Sequence, residues 1–187
     1  MTLYEFKKKY LGLIEELNPN SEQLTDDPDI AAKQNEVVNQ RMFEMARMKK
    51  IAKYAEMEVN KGDLITFENI GNVVGYDVYQ IGNVCGVNYL PKAGGTVLKI
   101  LESGTAELDV FVYPERITEK TKDKAYEFEL SNDALEIMVY GVAADLLKSD
   151  VSAEYGAVYA TEYASQIQRL DPRYQTGSIY IDGGVSV

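Results

Sequence analysis

Between Gly62 and Pro114 the sequence changes its period, and this constrains the fold more than any other feature. The stretches VYQIGNVCGVNYL, TVLKILE and AELDVFVYP alternate apolar and polar residues, are separated by PKAGG and SGT, and end at Pro114. Period two between glycine-bearing turns predicts antiparallel strands, which DLITF and AYEFEL are expected to complete into a small sheet or barrel. On both sides the period is helical. The expected architecture is therefore α+β: a helical bundle frame of about four helices over 1–61 and 131–170, an inserted antiparallel β module over 62–130, and an extended C-terminal tail over 171–187.

The first helix is expected over Thr2–Leu17, with Leu3, Phe6, Tyr10, Leu13, Ile14 and Leu17 on one face. A second opens at DDPDI, where Asp27 can cap and Pro28 suits the first helical position, and is expected to run to about Asn60 before Gly62 allows a left-handed stop. Such a rod would be roughly 45–50 Å long at ~1.5 Å per residue. Val38, Met42, Met45, Ile51, Ala52 and Ala55 would share one side, and Arg47, Lys49, Lys50 and Lys53 the other. A solvated helix face is the commoner use of such a basic stripe; contact with an acidic partner or a polynucleotide is the alternative. Met42, Met45, Met48 and Met57 fall on the same segment, where flexible thioethers suit either a surface that repacks against different neighbours or ordinary gap-filling.

Helical periodicity returns at SNDALEIMVYGVAADLLKSD, with Ser131 as N-cap and Leu135, Met138, Val139, Val142, Leu146 and Leu147 as the buried stripe. In the helix that follows, Tyr155, Tyr159 and Tyr163 recur every four residues and lead into Ile167 and Leu170. This spacing stacks the rings along one face, as an aromatic core stripe with hydroxyls at the rim or as a ligand-binding ladder.

Composition narrows the function. A net charge of −11 weighs against a general nucleic-acid binder, which needs clustered Lys and Arg to release counterions. The segment MTLYEFKKKYLGLIEEL has no apolar run long enough for a signal peptide or membrane span, so the chain is expected to work without crossing a membrane. The single Cys85 reads as a small core residue on a strand, or else as a reactive thiol. Histidine is absent, which removes the commonest general base, the usual zinc sets and every Ser-His or Cys-His nucleophile. What remains for an enzyme is carboxylate chemistry, a glycosidase pair or a Mg²⁺ site. Most acids sit among lysines or in turns such as TEKTKDK, so no catalytic residue, cofactor or metal is expected. Gly94-Gly95 joins strands and is no phosphate loop.

The last stretch, DPRYQTGSIYIDGGVSV, raises a question of its own. Pro172 stops the last helix, Gly177 frees the backbone, and SIYID then reads as a strand with nothing left to pair with. It could return to the chain's own β module or add to the sheet edge of another chain, with Ile179 and Ile181 on one face and Tyr180 on the other.

The order helices, β insertion, DALEIMVYGVAADLLKSDVSAEYGAVYATEYASQIQRLDPR and extended end resembles the head-to-tail connector (adaptor) proteins of tailed bacteriophages. In that family two closing helices meet at a brief LLKSD-like corner, and the second carries aromatic residues ahead of an Arg-Leu ending. The resemblance covers the helices and tail, about two-thirds of the chain. It implies a structural virion protein of the neck, assembled in the host cytoplasm. Its copies would form a ring, commonly of twelve, between the portal protein and the next neck or tail protein. Double-stranded DNA would pass through the ring without specific binding. The tail would reach the portal or a neighbour, placing Tyr174, Ser178, Ile179, Tyr180, Ile181 and Asp182 at that interface. Compact members of the family are little more than the helices, so the β module is a departure. The rival reading is a carbohydrate- or protein-binding module working through an aromatic platform of Tyr76, Tyr79, Tyr89 and Tyr113.

Overall fold

The computed structural model describes residues 1–148 and 153–170. Among these lie five α-helices and two three-stranded antiparallel sheets, an α+β arrangement. Helix α1 (Leu3–Leu13) starts at a capping box in which Thr2 accepts from the Glu5 N–H and Glu5 accepts from the Thr2 N–H. It stops short of Leu17, because Glu15 turns left-handed at φ 62°. Helix α2 (Pro28–Lys49) opens as expected, with Asp27 accepting from the Asp29 and Ile30 N–H groups.

It does not reach Asn60. Lys50 takes φ 43° and the chain continues as strand β1 (Ile51–Val59). The 22-residue helix is therefore about 33 Å long at ~1.5 Å per residue, shorter than the expected rod. The physical reason is a nonlocal partner: β1 pairs in unbroken register with β6 (Gly104–Val112), from Ile51 opposite Val112 to Val59 opposite Gly104. Pairing over the whole strand outweighs the helix propensity of Ala, Lys, Glu and Met. Met57, expected on the helix, lies on β1.

The first sheet has the order β1-β6-β3, with β3 at Val78–Cys85; the second has the order β2-β5-β4, with β2 at Leu64–Thr66, β4 at Tyr89–Lys92 and β5 at Val97–Ile100. The strand expected at DLITF is short, because Thr66 accepts from the Asn69 N–H and caps helix α3 (Phe67–Val74). Gly94-Gly95 lies in a short 3₁₀ turn between β4 and β5, as expected. Gly86 is required by space as well as by its φ of 83°: a Cβ there would stand 2.2 Å from the Thr105 carbonyl oxygen. AYEFEL forms no strand, contributing a single bridge between Glu127 and Thr2. Its Phe128 instead packs edge-on against Phe6, with ring centroids 5.1 Å apart.

Two apolar clusters result. One gathers α1, α2 and helix α4 (Asn132–Leu146) with Ile117, Phe128 and Leu130, and includes Met42, Met45 and Met138 as core fillers. The other lies between the sheets and under α3, with Ala55 and Val59 of β1, Ile65, Ile70, Leu98 and Ile100, and the alternate β6 residues Ala106 to Val112. Helix α5 (Ala153–Leu170) packs on α4.

Candidate interaction surfaces

The four basic residues expected on one helix face are divided among the last turn of α2, its C-cap and β1, and each meets a partner within the chain. Arg47 donates through Nε to the Tyr113 hydroxyl at 2.6 Å, and its guanidinium lies 5.3 Å from that ring's centre. Lys49 pairs with Asp133 at 3.2 Å, Lys50 sits 4.7 Å from the Phe111 ring centre, and Lys53 pairs with Glu129 at 2.8 Å while lying over Tyr76. The Asp133 carboxyl is held below its usual range, first by a hydrogen bond from Ser131 and then by Lys49. Positive charge at a helix C-terminus is favourable in itself. Here it also joins the helices to the sheet.

Three of the four tyrosines considered as a platform belong to the same joint. Tyr79 donates to the Ala46 carbonyl at 2.8 Å and lies 4.7 Å from Tyr113, which in turn lies 5.0 Å from Phe43. Tyr76 is engaged by Lys53, and Tyr89 is 38% exposed on β4.

The tyrosines of α5 diverge in role. Tyr163 is buried, donates to Glu44 at 2.9 Å and lies under the Arg41 guanidinium, 4.7 Å away. Arg41 in turn reaches Asp145 at 2.5 Å and Glu44 at 2.7 Å, and Lys148 also pairs with Asp145. Burial alone would raise the Asp145 carboxyl, but hydrogen bonds from Arg41 and Lys148 outweigh it and hold that carboxyl below its usual range. Burial, then the Glu44 charge, pushes the Tyr163 hydroxyl well up. Tyr159 donates to the Leu13 carbonyl at 2.8 Å, whereas Tyr155 is 68% and Val158 63% exposed. The expected continuous aromatic stripe is thus one anchor, one rim contact and one exposed ring. Close approach of α4 and α5 is permitted by Gly141, whose absent Cβ would stand 2.9 Å from the Tyr163 ring, and by Gly156, which faces Leu147. Apart from Gly156 and Tyr163 no residue of α5 is buried.

The sheets carry outer faces of opposite character, which alternation alone did not reveal. Register puts Glu56 directly opposite Glu107, Tyr54 opposite Asp109 and Glu58 opposite Thr105 on the outer face of the first sheet. All four carboxylates are exposed, and the ion pairs among the described residues include none of them. Tyr54 stands 56% exposed among them. Partial desolvation, then the charges of Glu107, Glu56 and Asp109, raises its hydroxyl above the ordinary value. Cys85, expected in a core, is exposed on this face opposite Glu107. On the second sheet Lys99 lies between Leu64 and Leu90, and Lys92 lies opposite Val97. Leu64 is 58% and Leu90 47% exposed, and neither lysine is in an ion pair among the described residues.

Among the described residues no three His, Cys, Asp or Glu side chains come together as a metal site, and no helix is long and apolar enough to cross a membrane. An open groove of about 1240 Å³ separates α2 from the 116–124 loop; the Arg116–Glu36 and Lys7–Asp123 ion pairs tie that loop to α2 and α1. The residues expected at a tail interface, Tyr174, Ser178, Ile179, Tyr180, Ile181 and Asp182, lie outside the described residues. The chain matches no protein-family model and no curated protein.

Proposed function

We propose that this chain is a structural connector of a tailed-phage neck, whose copies form a ring joining the portal to the tail or to the next ring around the DNA channel. In this reading the helices are the frame, the paired sheets are an insertion, and 171–187 is an extended tail that reaches the portal. The observation that supports it most is the condition of α5. An 18-residue helix that buries only Gly156 and Tyr163 leaves Tyr155 and Val158 exposed and leads directly into the tail segment. A single domain has no use of its own for that surface, and a neighbour in an assembly does. The net charge of −11 fits the same reading, since an acidic subunit repeated around a ring lets double-stranded DNA pass without sticking. No cofactor and no chemistry are asked of the protein, and its place is the virion.

The test is truncation. Removing Tyr174 to Val187 should leave a folded protein, by circular dichroism and a cooperative melt, that no longer binds an isolated portal ring. Undiminished binding by the truncated chain would remove the tail from the interface. Absence of portal binding by the full chain would remove the connector reading itself.

A further inference from the structure

We propose that neighbouring copies of this chain dock through their β modules, the acidic outer face of β1-β6-β3 on one copy packing against the lysine-and-leucine outer face of β2-β5-β4 on the next. The occupant of each face is thus a second copy. Three observations carry this. The first is placement. Both sheets turn their inner residues toward one core, Ala55, Leu108 and Val110 from one and Ile65, Leu98 and Ile100 from the other. Their outer faces therefore point away from that core and are two distinct surfaces. Two different faces of one module give a head-to-tail contact, which builds rings or open filaments rather than two-fold dimers, and the connector reading selects the ring.

The second is complementarity. One face offers Glu56, Glu58, Glu107 and Asp109 around the Tyr54 ring; the other offers Lys92 and Lys99 beside Leu64, Leu90 and Val97. Stacked sheets bring outer side chains into contact at a spacing of about 10 Å, so the tyrosine ring can meet the leucines while the lysine ammonium groups reach the carboxylates. The third is the condition of the isolated faces. Glu56 directly opposite Glu107 is a like-charge pair that disfavours the sheet, and two largely exposed leucines flank Lys99. Both features cost the monomer and both are relieved by the same docking.

The proposal rests on the connector reading, which supplies the ring, but its test needs no portal. Two variants, E56K/E107K and K92E/K99E, change three exposed positions and the half-buried Lys99, and their melts should show both folded. K92E/K99E alone carries two acidic faces, and E56K/E107K alone sets a face reduced from four negative charges to net zero against its own lysine face, so each should sediment as a monomer even where the wild-type chain begins to associate at low salt. Mixed in equal amounts, the intact acidic face of K92E/K99E meets the intact lysine face of E56K/E107K, so mixed oligomers should appear and dissociate as salt is raised. The milder E107Q variant should melt about 1–3 °C higher than wild type, through loss of the like-charge pair, while associating less. A mixture that sediments as its two separate components, or variants that each associate as wild type does, would overturn the proposal. Failure of the full chain to bind a portal ring would instead strike the connector reading and leave the face-to-face contact standing.

Discussion

The tightest claim about how α5 is held concerns Gly141, and it can be tested by adding one carbon. In the middle of an exposed helix Gly→Ala stabilises by about 1 kcal/mol, because alanine loses less backbone freedom. In α4 the added methyl would stand 2.9 Å, 3.0 Å and 3.2 Å from three atoms of the Tyr163 ring, so something must shift. The ring cannot simply turn aside. It is buried at 6% exposure, Arg41 lies against one face and its hydroxyl donates to Glu44. Overpacking of this kind costs about 1–3 kcal/mol. Displacement of the ring also breaks the Tyr163–Glu44 hydrogen bond, worth about 1 kcal/mol once the 39% exposure of Glu44 is allowed for. Setting the propensity gain against these, Gly141→Ala should destabilise by about 1–3 kcal/mol, read as a lower urea midpoint at unchanged m-value. The control is Tyr163→Ala. In that background the methyl has room, and Gly141→Ala should become stabilising by about 0.5–1 kcal/mol, a change of sign that isolates the contact. If the glycine substitution costs the same in both backgrounds, the contact with Tyr163 is not what fixes the glycine.

Other predictions follow from the charged groups. The Asp145 carboxyl is depressed in the folded chain, so its contribution is present above its ordinary value of 3.8 and is lost as pH falls through the lower folded value. Asp145→Asn should therefore flatten the acid end of the stability curve, measured by urea midpoints at successive pH values. Tyr10, Tyr126 and Tyr163 are all raised above the ordinary value of 10.0, so their contribution is complete below that pH and is lost as pH rises through the folded values. Midpoints should fall on going from pH 9 to 11, and Tyr163→Phe should reduce that slope. Reversing Lys53 to Glu sets two carboxylates against each other at Glu129. Because both side chains are about one-third exposed, the loss should be near 1 kcal/mol, a Tm drop of about 2–4 °C with the fold retained.

How far the sequence foretold these features depends on whether local or distant residues decide them. Asp27-Pro28 marks the start of α2 because a cap is a local hydrogen bond, and the strands of 97–112 follow their own alternation. Ile51–Val59 was ambiguous for a specific reason. Ile51, Ala55 and Val59 are spaced by four, which satisfies a helix face and a strand face alike, and the intervening Lys, Glu and Met favour helix. Only the distant β6 decides the matter. The tyrosines of α5 look equivalent at four-residue spacing, yet Tyr163 is 6% and Tyr155 68% exposed, because the Tyr163 ring fills the space that Gly141 of α4 leaves open, whereas nearer the start of α5 it is Gly156, not Tyr155, that faces α4. The acidic face was invisible for the same nonlocal reason: Glu56 and Glu107 are 51 positions apart in sequence and become opposite only through register.

The seam and the acidic face share a sheet, and the distance between them determines whether one can neutralise the other. Lys50 sits over Phe111, which pairs with Ala52 at the helix-side end of β1 and β6, while Glu58 pairs with Thr105 near the far end. At ~3.3 Å per residue, Ala52 and Glu58 are about 20 Å apart along the strand. That is more than twice the screening length of about 8 Å at physiological salt. The cations of the joint, already engaged with Tyr113, Asp133, Phe111 and Glu129, therefore leave the potential around Glu58 almost untouched; Glu56 lies nearer, about 13 Å from Ala52 at ~3.3 Å per residue, still beyond one screening length. Among the described residues no ion pair offsets the opposition of Glu56 and Glu107, and a single substitution to Gln would relieve it. Its presence is physically reasonable if the compensating charge comes from outside the chain, and Lys92 and Lys99 on the outer face of the second sheet are the complement that every further copy carries.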